Sequence, residues 1–158
     1  MSDLLAIYLN DHLAGSTVGV ELARRARGSN DGTELGEFLA TLAAEIEEDR
    51  DTLGEVMGAV GAGRDRLKVV GAWAGEKAGR LKLNGSLLGY SPLSRVVELE
   101  GLRLGVEGKA CLWRMLRELA DPRLAAFDFD ALIVRAERQR DQLEQRRIEA
   151  GRLALSQD

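Results

Sequence analysis

The chain has 158 residues, a net charge of −4, 45% hydrophobic residues, only 4% aromatic ones and two prolines. That size suits one domain with a substantial core of its own, and residues 1–158 are read as a single domain. Acids and bases are interspersed with a slight acidic excess, which excludes the basic surface that a nucleic-acid partner requires. One cysteine excludes an internal disulfide and fits a reducing compartment. No apolar run reaches the roughly 18 residues of a membrane span. The opening MSDLLAIYLNDH lacks a basic n-region and reaches Asp11 too early for a signal peptide, so the expected location is the cytoplasm.

The first helix is expected from Asp3 to Arg27, with Ser2 as N-cap and GSNDG as the stop. Its core face reads Leu5, Tyr8, Leu9, His12, Ser16, Gly19, Leu22 and Ala23. A second helix is expected from Thr33 to Val60, opened by a capping box between Asp31 and Glu34. Its seam reads Leu35, Phe38, Leu42, Glu45, Asp49, Thr52 and Val56, widened by Leu39, Ile46, Leu53 and Val60. A shorter helical stretch over Arg64–Arg80 follows, then an irregular segment with a turn signal at Asn84-Gly85.

Ser91 and Pro92 start the third main helix, which ends near Asp121-Pro122. Its seam is read as Leu93, Val96 or Val97, Glu100, Leu104, Glu107, Cys111 and Met115, which makes Cys111 a buried, inert thiol rather than a nucleophile. The fourth helix starts at Asp128 or Asp130 and runs to about Leu155, with Ile133, Ala136, Arg140, Leu143, Arg147 and Ala150 as its seam. The resulting fold class is all-α: an antiparallel four-helix bundle with a long helical crossover between bundle helices 2 and 3. An up-down bundle needs only short loops, whereas a ferritin-like bundle carries a long crossover where Gly61 to Tyr90 stand here.

The segment LAIYLNDHLAGSTVGVELARRA resembles the first helix of the small bacterial stress-associated ferritin-like proteins, in which an L-x-D-L-Y-x-A-E pattern supplies a first carboxylate. The aligned stretch runs from Leu9 to Ser16, and Ser16 stands where the Glu would be. Metal-binding members of that superfamily use Glu-x-x-His on two helices and single Glu residues on the other two. The resemblance therefore implies His12, Glu45, Glu48, Glu100 and Glu137 as candidate ligands of a di-iron or di-manganese centre. Neither Glu45-Ile46-Glu47-Glu48 nor Glu137-Arg138-Gln139-Arg140 contains a histidine, and Arg140 places a cation where a ligand belongs.

A second reading of the same residues is a salt-bridge layer. Arg140 would pair with Glu45, Asp49 or Glu100 across the bundle centre, and His12 would hydrogen-bond one of them. No phosphate loop follows Gly71–Gly75 or Gly101–Gly108, and Lys77 and Lys82 are read as solvated. The arginines from Arg138 to Arg152 alternate with acids as a solvated or helix-pairing face.

Three functions stay open. The first is a non-enzymatic ferritin-like bundle without metal or other cofactor, acting as a homodimer or on another protein partner, with apolar crossover residues (Trp73, Leu81, Leu83, Leu87, Leu88, Tyr90) at the interface. The second is a metal-dependent oxidase or metal store in a stress response. The third is a bundle holding a small apolar ligand near Cys111, Trp113 and Met115.

Overall fold

Three of the helix starts are set by short polar side chains, while Ser2, the expected cap of the first helix, lies outside the described residues. In the computed structural model, which describes residues 3–63 and 89–156, α1 covers Asp3–Ser29, α2 Glu34–Ala59, α3 Pro92–Leu119 and α4 Phe129–Leu155. At α3, Ser91 Oγ accepts from the Ser94 amide at 3.2 Å and Ser94 Oγ accepts from the Ser91 amide at 3.3 Å, while Pro92 presets the first helical φ. Asp128 caps α4 by accepting from the Ala131 amide at 3.0 Å. At α2 the cap is Thr33, whose hydroxyl accepts from the Gly36 amide at 3.1 Å, and not the expected pair Asp31 and Glu34. The reason is the tightness of the turn. Gly32 sits at φ 73°, and a Cβ on Gly36 would stand 2.2 Å from the Asn30 carbonyl oxygen, so the chain can fold back on α1 only with glycine there.

The described residues are all helical apart from their loops, with a three-residue 3-10 turn at Pro122–Leu124 between α3 and α4. No helix among them is long and apolar enough to cross a membrane. The expected helical stretch at Arg64–Arg80, the turn at Asn84-Gly85, the two lysines Lys77 and Lys82, and the apolar crossover residues from Trp73 to Leu88 lie outside the described residues.

The strongest packing is α3 on α4 and α1 on α2, and α1–α3 contacts join the two pairs. Leu9, Val20 and Ala23 of α1, Leu39, Leu53 and Val56 of α2, Leu99, Val106 and Trp113 of α3, and Ala136 and Leu143 of α4 are buried in one continuous core. Partners between helices follow a regular order. Asn10 reaches Gly63 and Gly19 faces Ile46, while Asn30 meets Tyr90 and Arg95, and Arg25 meets Glu98. On the other pair, Arg103 meets Glu144, Arg114 meets Glu137 and Arg117 meets Asp130. Between α2 and α4, Arg146 meets Glu34, Arg138 meets Glu45 and Arg135 meets Glu48.

The seam of α3 requires correction. Val96, Leu99, Leu102, Val106, Ala110, Trp113 and Leu116 are buried, whereas Leu93, Val97, Leu104, Cys111 and Met115, read as inward from the sequence, are exposed. At about 100° per residue the two sets lie on opposite faces of one helix. Both are apolar, so periodicity does not choose between them. On α2 the buried line includes Leu39, Ala43, Ile46 and Leu53, with Asp49 buried and Glu45 at the edge. On α4, Gln139 occupies the interior position assigned to Arg140, which is turned toward the rim.

Candidate functional site

Three helices meet at a polar layer that interrupts the core. From α2, Asp49 projects between Ile46 and Leu53 with its side chain 2% exposed. From α3, Lys109 enters beside Val106 and Ala110 with its side chain 13% exposed. From α4 comes Gln139, between Ala136 and Leu143 and fully buried. Lys109 Nζ donates to Asp49 Oδ2 at 2.5 Å and to Gln139 Oε1 at 2.5 Å. The Gln139 amide then donates to Glu45 Oε2 at 2.7 Å, which fixes both ends of that side chain.

Two arginines of α4 close the network on its outer side. Arg138 Nη2 donates to Glu45 Oε1 at 2.6 Å, and Arg135 bridges Asp49 and Glu48, the latter at 2.9 Å. Lys109, Arg135 and Arg138 thus balance Glu45, Glu48 and Asp49. Such balance is what makes charges tolerable in a core, because an unpaired buried charge is far costlier than a paired one. Burial pushes the Lys109 ammonium below the ordinary lysine range, against the pull of Asp49. Burial works to raise Glu45 as well, but the Gln139 amide and the Arg138 guanidinium outweigh it and hold this carboxyl below its usual range.

The residues read as ligand candidates are dispersed over this network and the surface. Glu45 and Glu48 belong to it, each facing an arginine. Glu100 is solvent-exposed and 3.6 Å from Arg147, and Glu137 lies 2.7 Å from Arg114. His12 lies half-buried on α1, with Tyr8 edge-on to its ring at 4.6 Å. Burial lowers its pKa, against Asp11. Among the described residues no three His, Cys, Asp or Glu side chains are grouped so as to hold a metal ion. Arg140 pairs with Glu107 at 3.2 Å and with Asp141 at 2.9 Å, not with Glu45, Asp49 or Glu100 as expected.

Lys109 and Gln139 do not stand out as site residues in the sequence, because the outer line of α3, from Leu93 to Met115, has the cleaner heptad spacing and leaves Lys109 off its seam. The signal was present: the register Val96, Leu99, Leu102, Val106, Ala110 and Trp113 brings Lys109 inward, and Gln139 is the one uncharged residue in the run from Glu137 to Asp141.

Beside the network, between α1, α2 and α3, lies a cavity of about 280 Å³ lined by His12, Gly15, Asp49, Gly105, Lys109 and Trp113 among others. It touches Trp113, as the small-ligand reading required, but not Cys111 or Met115. Comparison with protein-family models, with curated proteins and with solved structures finds no match to this chain.

Proposed function

We propose that the chain is an antiparallel four-helix bundle of ferritin-like topology that does without a di-metal centre and acts, non-enzymatically, by association of two copies through the outer face of α3. The order of interhelical partners supports the topology. Residue numbers rise along one helix as they fall along its neighbour in the α1–α2, α1–α3, α3–α4 and α2–α4 pairs. In that arrangement α2 and α3 run the same way, which a short loop cannot achieve. The chain accordingly passes Gly63, just beyond the end of α2 and beside Asn10, and returns at Tyr90, just before the start of α3 and beside Asn30. The metal-free reading rests on charge: the carboxylates at the centre already face Lys109, Arg135 and Arg138, so a cation would have to displace built-in cations.

The observation that carries the functional reading is the exposed stripe of Leu93, Val97, Leu104, Cys111, Met115 and Leu119. Leu104, at its middle, is 61% exposed. Spacings of four and seven residues make it a helix-pairing seam rather than scattered surface apolars. A like stripe on a second copy offers the same knobs and holes around a two-fold axis.

Cys111 lies within the stripe and reports its occupancy. Its rate of reaction with a water-soluble disulfide reagent is expected to fall as protein concentration rises from about 1 to about 100 µM. Leu104→Glu is expected to remove that dependence. A rate independent of concentration in the unmodified chain contradicts the association.

A further inference from the structure

Gly15 on α1 and Gly105 and Gly108 on α3 stand in helix interiors, where each costs about 0.5–1 kcal/mol relative to alanine. Two common reasons for such glycines do not apply. None of the three has a positive φ. None lies in a close helix contact either, because a Cβ at any of them would have no heavy atom of another described residue within 4 Å. What the three leave is open space: all of them line the cavity of about 280 Å³ between α1, α2 and α3, the half-buried Gly108 within it and the exposed Gly15 and Gly105 at its mouth.

The walls and floor of that space differ in character. Ile46, Leu53, Leu102 and Leu112 give it an apolar body. Among its polar lining residues, Lys109 spends two of its three ammonium protons on Asp49 and Gln139. Trp113, which also lines the cavity, is 1% exposed, and its buried indole Nε1 has no acceptor among the described residues. An unpaired buried donor of this kind costs about 1–3 kcal/mol unless something accepts from it. Arg50 adds a guanidinium at the lining whose carboxylate contact, to Asp51, is 3.9 Å long. The two acids at the lining do not cancel these donors: Asp49 is already held by Lys109 and Arg135, and Asp11 is exposed.

We infer that this cavity is a binding site for a small monocarboxylate with an apolar body, its carboxylate accepting from Lys109 and the Trp113 indole and its body lying along the glycine faces. A closed cavity of about 150 Å³ holds benzene; this one, at about 280 Å³ and open to solvent past the exposed Gly15 and Gly105, has room for about ten to twelve non-hydrogen atoms.

The test uses the full chain with octanoate and 4-phenylbutyrate as probes, followed by calorimetric titration and by the fluorescence of Trp113 in a Trp73→Phe background. One saturable site per chain is expected, with affinity at least about tenfold weaker for the neutral amide 4-phenylbutyramide. Gly105→Leu is expected to abolish binding of both acids while the protein melts at or above the wild-type temperature, since leucine enters open space and improves the helix. Lys109→Met tests the head group, and Gly105→Leu keeps the test valid if that variant is too unstable. The inference is overturned if neither acid binds at about 10 mM, if Gly105→Leu binds them as the wild type does, or if Gly105→Leu is markedly destabilised. The last result means that the space is already filled from within the chain.

Discussion

Replacing Lys109 by methionine removes the charge at the centre of the polar layer while keeping the length and most of the volume of the side chain. Asp49, with its side chain 2% exposed, then keeps only Arg135, and the Gln139 carbonyl oxygen, fully buried, loses its donor. A hydrogen bond to a charged group contributes about 1.5–3 kcal/mol, and a buried acceptor left unpaired costs about 1–3 kcal/mol. The two together come to about 2.5–6 kcal/mol, which brackets the roughly 3–5 kcal/mol found when one partner of a buried ion pair is removed. Methionine returns a little by burying its thioether, so a loss of about 3 kcal/mol is expected. Urea unfolding measures it, with the midpoint falling at unchanged m-value. The double variant Asp49→Leu, Lys109→Met removes the ion pair as a unit, with Arg135 retaining Glu48, and is expected to recover the share of the loss due to Asp49 while keeping the cost of about 1–3 kcal/mol of the unpaired Gln139 oxygen. A single-variant loss below about 1 kcal/mol refutes the reasoning, because the layer would then not depend on Lys109.

The network also has an acid limit. The folded-state pKa of Glu45 is held below its usual 4.5, so its contribution is fully present above pH 4.5 and is lost as pH falls through the folded value. The stability gap between wild type and Glu45→Gln, followed by denaturant unfolding across that range, is expected to be constant above pH 4.5 and to close below it. Ala120 caps α3 in the left-handed region at φ 45°, where glycine is unstrained, so Ala120→Gly is expected to raise stability by about 0.5–1 kcal/mol in thermal melts. Protein purified without chelator and incubated with ferrous or manganous ion is expected to hold well under one metal per chain by elemental analysis. A stoichiometric metal that disappears in Glu45→Gln contradicts the metal-free centre.

The fold was far more legible in the sequence than the site. Helix starts at Ser91-Pro92 and Asp128 were readable because a capping side chain needs only its own helix's amides, a local interaction that leaves a local pattern. Thr33 is not marked as the cap by the sequence because the choice depends on how tightly the turn folds, with Gly36 against the Asn30 carbonyl, which the capping-box spacing of Asp31 and Glu34 does not encode. The polar layer was expected, and Glu45 and Asp49 do belong to it. Its cation was assigned to Arg140, because α3 carries two apolar lines on opposite faces and the outer one, Leu93 to Met115, keeps the cleaner heptad spacing. Choosing that line turned Lys109 outward. An error of phase on one helix thus became an error of chemistry at the centre. The same outer line, now seen to be exposed, is what suggests a second copy of the chain.

Sedimentation equilibrium of the unmodified chain tests that association most directly. The account predicts a species of twice the 17.2 kDa chain mass that dissociates on dilution, and the single-chain mass for Leu104→Glu with its helical content unchanged. A mass of 17.2 kDa for the unmodified chain at about 100 µM contradicts it.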